Sequence, residues 1–227
     1  MLHSGPVVEQ SPGAGAQSGA GGVVLRDYRP EDLAGLYDVC LRTGATGADA
    51  SALTGHPRLL GDVWAAPYAA FAPGLVGVLG SGPAGAEVVG YVLGVTDTLA
   101  FDAWAARAWW PAVAERYADV EATTALDTAL LSGIRTGSYR SDLPAALLAR
   151  YPAHLHVDLL PQVQGGGWGR RLLQHLFTRL TAAGCPGVHL GVAEENTGAR
   201  RFYDRMGFAE LSSSPGGRTL GLSLPVS

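Results

Sequence analysis

The sequence predicts an α/β fold in which strands and amphipathic helices share one core. Three observations lead there. Short apolar runs with strand character alternate with stretches of helical period. One strand, ending near Leu160, passes through a glycine cluster directly into an amphipathic helix. Hydrophobic residues make up 47% of the 227 positions, enough to bury a substantial core.

The elements follow in order. Residues 1–21 are rich in Gly, Ala, Ser and Pro, and such a composition buries too little apolar surface to offset ordering entropy, so a disordered tail is expected there. The folded domain is expected over 22–227. Residues 23–28 read as the first strand. Pro30 suits the first position of a helix, with Glu31 and Asp32 at its positive end. Leu33, Leu36, Tyr37, Cys40 and Leu41 recur at helical spacing until Gly44. Residues 45–70 carry no clear period. Strands are expected at 74–79 and 87–96, joined by the loop Ser81-Gly82-Pro83-Ala84-Gly85. A long helical insert, about 99–150, holds Trp104, Trp109 and Trp110. Residues 154–160 form a strand with Leu155, Val157 and Leu159 on one face. A helix over about 169–183 lines up Leu172, Leu173, Leu176, Phe177 and Leu180 and stops at Gly184. A strand at 188–192, a helix at 197–206 and a last strand near 219–224 complete the chain. No internal repeat is visible.

Composition narrows the function. Net charge is -4 and the basic residues are not clustered, which argues against nucleic acid as a partner. All 16 basic residues are Arg, and with the Ala and Gly richness this points to a high-GC bacterial genome. No apolar run approaches the roughly 18 residues a membrane-spanning helix requires, and no leader pattern opens the chain. Cys40 and Cys185 lack metal-ligand spacing and read as reduced thiols, so a cytoplasmic protein without metal is expected.

The chemistry concentrates in Gln164-Gly165-Gly166-Gly167-Trp168-Gly169-Arg170-Arg171. Glycines let backbone N–H groups converge on one point, and the helix start adds roughly half a positive charge. That is a phosphate site. Arg170 and Arg171 can add charge-assisted bonds. No Lys-Ser/Thr pair follows, so this is not a Walker loop. No acidic residue ends a second strand about 20 residues on, so it is a poor dinucleotide fingerprint. His154 and His156 share a face, but no third metal ligand accompanies them.

The pattern Gln164-x-x-Gly167-x-Gly169 resembles the coenzyme motif of the GNAT acetyltransferase superfamily. The segment from Val192 through Asn196 to Phe202-Tyr203-Asp204-Arg205-Met206-Gly207-Phe208 resembles that family's second half. The segments 57–62, 87–98 and 156–158, and the aromatic insert 101–117, further resemble the acetyltransferase-like domain at the carboxyl end of animal O-GlcNAcase; this likeness covers 23–225. That animal domain is regarded as a pseudo-acetyltransferase without a proper coenzyme loop, whereas this chain carries a full one. The resemblance implies a mostly antiparallel sheet splayed between its fourth and fifth strands and flanked by helices. It implies acetyl-CoA as co-substrate, held by Leu159, Leu160, Pro161, Gln164, Gly165, Gly166, Gly167, Trp168, Gly169, Arg170 and Asn196. It implies direct attack of an amine on the thioester, the Leu159 N–H polarising the acetyl carbonyl and Tyr203 protonating the departing thiolate. For the base, Asp158 on the splayed strand is the preferred catalytic residue, with Asp97 and a water chain as the alternatives. An active N-acetyltransferase and a coenzyme-binding module without turnover are both consistent with the pattern, which specifies neither the acceptor nor an oligomeric state.

Overall fold

The strands of the computed structural model, which describes residues 22–225, are β1 (Val24–Asp27), β2 (Gly77–Ser81), β3 (Glu87–Val95), β4 (Ala153–Leu159), β5 (Gly187–Ala193), β6 (Ala209–Ser214) and β7 (Gly217–Ser223). They form one sheet in the order β1-β2-β3-β4-β5-β7-β6. Every neighbouring pair is antiparallel except β4 and β5, which are parallel and meet only at Ala153–Val188 and His154–His189. Beyond those two pairs the strands part, opening a wedge in the middle of the sheet. The tail expected over 1–21 lies outside the described residues.

Helices cover both faces. Tyr91 and Gly94 of β3 differ by three positions and so point to opposite sides. On the Tyr91 side lies α1 (Leu33–Thr43), which buries Leu36, Tyr37, Val39 and Cys40. On the Gly94 side lies α8 (Trp168–Ala182), with Leu172, Leu173, Leu176 and Leu180 fully buried. Gly94 permits this closeness, because a Cβ there would stand 2.7 Å from Leu176 Cδ1. The short helices α2 (Leu59–Trp64) and α3 (Ala66–Phe71) fill the stretch that showed no period. They are buried almost all round, which removes the polar face that marks an amphipathic helix. The edge strand β6 also escaped the pattern reading, because Ala-Glu-Leu-Ser-Ser-Ser has no apolar alternation.

The insert is not one helix. It comprises α4 (Thr98–Trp104), a π-helical turn Ala105–Trp109 running into α5 (Trp110–Arg116), then α6 (Ala125–Thr136) and α7 (Ala145–Arg150). Asp62 of α2, fully buried, fastens it. The carboxylate accepts from Tyr117 Oη at 2.7 Å and Arg116 Nη1 at 2.6 Å, and its backbone carbonyl accepts from Trp109 Nε1 at 2.9 Å.

Asp127 makes the second fastening. Thr124 caps α6, and the Asp127 carboxylate, fully buried, accepts from Thr54 Oγ1 at 2.5 Å, Thr123 Oγ1 at 2.8 Å and Gly55 N at 3.1 Å. Although burial works against the charge, these donors hold the carboxyl well below the usual range. A depressed pKa contributes stability that is present above the unfolded value, near 4, and is lost as pH falls toward the native one. Asp127→Asn should therefore lower unfolding stability at pH 7 by about 2 kcal/mol, the scale of a hydrogen bond to a charged group. In urea titrations the gap to wild type should narrow as pH drops below 4; a gap independent of pH would show that the charge is not what matters.

Candidate active site

The wedge follows from the hydrogen-bond polarity of β4. The Leu160 N–H donates to Val89 O at 2.9 Å, so residue 160 points its backbone toward β3. Alternation turns the N–H groups of Val157 and Leu159 the other way, toward β5. Pairing with β5 has already ended at His154, so neither donor has a backbone partner among the described residues. A buried strand rarely leaves two donors unpaired. Gln164 bends back and donates from Nε2 to Leu159 O at 2.8 Å, bringing the glycine loop to the mouth of the wedge.

The loop is an open cradle. Gly165 and Gly167 both have φ of +77°, a left-handed conformation, and a Cβ on either would meet nothing within 4 Å. Gly167 occupies the N-cap of α8 without a side-chain cap, so the first N–H groups of a 15-residue helix point into the cradle with no side-chain acceptor among the described residues. Arg171 stacks its guanidinium 4.5 Å from the centre of the Trp168 ring.

Asp158, Leu159, Gln164, Gly165, Gly167, Trp168, Gly169, Arg170, Asn196 and Tyr203 all line one cleft of about 730 Å³. Three expected coenzyme contacts fall outside its lining. Leu160 is fully buried and its N–H is spent on β3, because it is the residue that closes the core behind the loop. Pro161 has no N–H and opens a short 3-10 turn. Gly166 lies against the Trp168 side chain. Val157, Thr43 and Gly47 line the cleft besides the expected coenzyme contacts; Val157 shares a strand face with Leu159 in the sequence, which is the signal that points to it.

Asn196 caps α9 (Thr197–Arg205), its Oδ1 accepting from Ala199 N at 3.0 Å. Two turns on, Tyr203 is buried between Phe202 and Phe208, and its hydroxyl makes no hydrogen bond among the described residues. Burial, with the Asp158 carboxyl adding to it, pushes the phenol pKa up, so it stays protonated. Asp158 accepts from Tyr91 Oη at 2.8 Å, and burial raises its own pKa. Asp97 is elsewhere: it caps α4 by accepting from Ala100 N at 3.0 Å and lines no part of the cleft.

A second cavity, of about 300 Å³, begins where the first ends. Along β4 it is lined by His154, Leu155 and His156, and the coenzyme cleft by Val157, Asp158 and Leu159. Tyr68, Phe101, Trp110 and Tyr139 form aromatic walls, and His189 lies opposite on β5. Trp104, by contrast, packs with Phe71 and Phe101. Among the described residues, no group of three or more His, Cys, Asp or Glu could hold a metal ion. Nor is any described helix long and apolar enough to cross a membrane.

Residues 142–208 match the family model for the acetyltransferase (GNAT) family. The crystal structure of SsHAT is 37% identical, covering 88% of this chain and 98% of that one, with a TM-score of 0.77. PH1933 from Pyrococcus horikoshii OT3, 16% identical over 90% of this chain and 100% of its own, shares the fold at a TM-score of 0.55. The PaiA N-acetyltransferase from Thermoplasma acidophilum, solved in complex with coenzyme A, does so at 12% identity over 89% of this chain and 99% of that one, with a TM-score of 0.51. The splayed seven-stranded sheet, the glycine cradle and these likenesses agree: the chain belongs to the GNAT acetyltransferase family.

Proposed function

We propose that this protein transfers the acetyl group of acetyl-CoA to an amine by direct attack within a ternary complex. The observation that carries this is the pair of unpaired N–H groups, Val157 and Leu159, on the same cleft as the open glycine cradle and the buried hydroxyl of Tyr203. The cradle, the start of α8 and Arg170 bind the pyrophosphate. The Leu159 N–H holds the acetyl carbonyl, where one oxyanion donor contributes roughly 3 kcal/mol to the transition state. The amine nitrogen bonds to the acetyl carbon and gives up a proton to a base, the carbon–sulfur bond breaks, and Tyr203 gives its proton to the departing thiolate and regains one from solvent. Burial, with the Asp158 carboxyl adding to it, keeps that phenol protonated until it is needed. The amine occupies the second cavity, whose lining adjoins the coenzyme cleft along β4.

The likeness to the acetyltransferase-like domain of animal O-GlcNAcase belongs to this reading. Its segments run through α2, β3 and β4, the elements that carry Asp62 and the wall of the wedge. The full glycine loop favours coenzyme binding where that animal domain lacks it.

Calorimetric titration with acetyl-CoA, followed by a thiol-release assay over a panel of small amines, tests the proposal. Saturable binding with amine-dependent thiol release is expected. Binding without release would make the chain a coenzyme-binding module, and absence of binding would sink the reading altogether.

A further inference from the structure

Four side chains on the wall of the second cavity, Thr98, His154, Tyr68 and His156, form a chain whose hydrogen-bond polarity can be deduced. Thr98 Oγ1 lies 2.8 Å from Pro152 O and 2.8 Å from His154 Nδ1. A carbonyl only accepts, so the single hydroxyl proton goes to Pro152, and His154 Nδ1–H must donate to Thr98. His154 Nε2 is then a lone pair. Tyr68 Oη lies 2.8 Å from that nitrogen and 2.9 Å from His156 Nε2. The phenol proton is therefore given to His154, and His156 Nε2–H donates to the Tyr68 oxygen. This leaves His156 Nδ1 as a lone pair without a partner among the described residues, on a side chain that lines the second cavity. Burial pushes both imidazoles down, His156 to about 4, so neither carries a second proton at neutral pH.

His189, whose Nδ1 donates to Tyr151 O at 2.8 Å, leaves its Nε2 without a side-chain partner among the described residues. Its position differs, however. His189 faces His154 in the last pair before β4 and β5 part, at the closed end of the wedge. His156 is the next residue on the same face of β4, at the point where the wedge opens, and Asp158 follows it into the coenzyme cleft. The groups facing His156 are Trp64 of α2, Tyr68 of α3, and His154 and Asp158 of its own strand; Asp102, Arg140 and Asp142 of the insert line the same cavity.

We infer that His156 is the general base of the transfer, taking the amine's proton on Nδ1 as the nitrogen bonds to the acetyl carbon, with Tyr68 as the positioning residue that fixes its tautomer. This rests on the acetyl transfer proposed above. The proton leaves the nitrogen for His156, and the thiolate receives its own from Tyr203; before the next turnover His156 gives its proton to solvent and Tyr203 takes one up, so the two ends of the reaction are served by separate groups and the net proton count is zero. The base suits an amine that attacks unprotonated, because an imidazole whose pKa is lowered by burial accepts a proton readily from a nitrogen already acidified by bond formation.

The test has two arms. Nitrogen-15 NMR of the histidine side chains in the wild-type protein should show His156 protonated on Nε2 and His154 on Nδ1, and Tyr68→Phe should abolish the His156 preference. His156→Gln should lower amine-dependent thiol release by ~10²-fold, the scale of general-base catalysis, with acetyl-CoA affinity unchanged in calorimetry. A proton on His156 Nδ1, wild-type turnover in His156→Gln, or a larger loss in His189→Gln or Asp158→Asn than in His156→Gln would each overturn the assignment alone. Wild-type protein that binds acetyl-CoA yet releases no thiol with any amine would overturn the assignment together with the transfer it rests on.

Discussion

Gly167→Asp should weaken acetyl-CoA binding by ~10²-fold or more while leaving the protein folded. Two effects are separable. The first is backbone strain: φ is +77°, and a residue with a Cβ costs about 1–2 kcal/mol there, though Asp tolerates it better than most. The new Cβ meets no atom within 4 Å, so no clash accompanies it. The second is charge. A carboxylate in the cradle faces the place where a pyrophosphate binds, and like charges brought together cost several kcal/mol, with each 1.4 kcal/mol a factor of ten in affinity. Gly184→Asp isolates the two. Gly184 also has φ of +77° with open space around its Cβ position, but it follows the far end of α8 and lines neither cavity. That variant should lose comparable stability and keep its coenzyme affinity. Calorimetry on both proteins decides the matter, and a folded Gly167→Asp protein with wild-type affinity removes the loop from the coenzyme site.

Tyr203→Phe should lower kcat by about 10²- to 10⁴-fold, the range of general acid catalysis, with acetyl-CoA affinity unchanged. The ring keeps its packing between Phe202 and Phe208, and only the hydroxyl is lost. That hydroxyl bonds nothing among the described residues, so its removal leaves no orphaned partner and little change in stability. An interaction made only in the transition state lowers kcat and kcat/KM together, which distinguishes this result from damaged binding. Steady-state thiol release in both proteins is the measurement. An unchanged rate would take Tyr203 out of the proton-donor role and leave a solvent proton to protonate the thiolate.

The two halves of the candidate site differ in how they could be read. The coenzyme half is written locally. Pro161 ends a strand, glycines turn the chain, and the stripe Leu172, Leu173, Leu176 and Leu180 starts a helix at once, so contiguous residues carry the whole phosphate cradle. Even there, sequence alone does not say which edge of β4 the Leu160 N–H serves, because that depends on the register with β3. Asp97 was a reasonable candidate base by its place at a strand end, yet it serves as a helix cap, a local role that its sequence position fits equally well.

What the sequence determined by itself were the features with a local cause: the α/β alternation, α1, α8 and α9 with their glycine stops, β4, and the glycine cradle with Tyr203 two turns beyond Asn196. What only the tertiary structure decided were the features assembled from distant segments. The aromatic insert is seated by Asp62, whose partners Arg116 and Tyr117 lie on α5 and beyond its end. The second cavity and the lone pair of His156 draw on Tyr68, Thr98 and His154, which no period or spacing connects. The direction of a hydrogen-bond chain is set by the one member that can only accept, here Pro152 O, and that carbonyl finds Thr98 only once β4 has paired with β3.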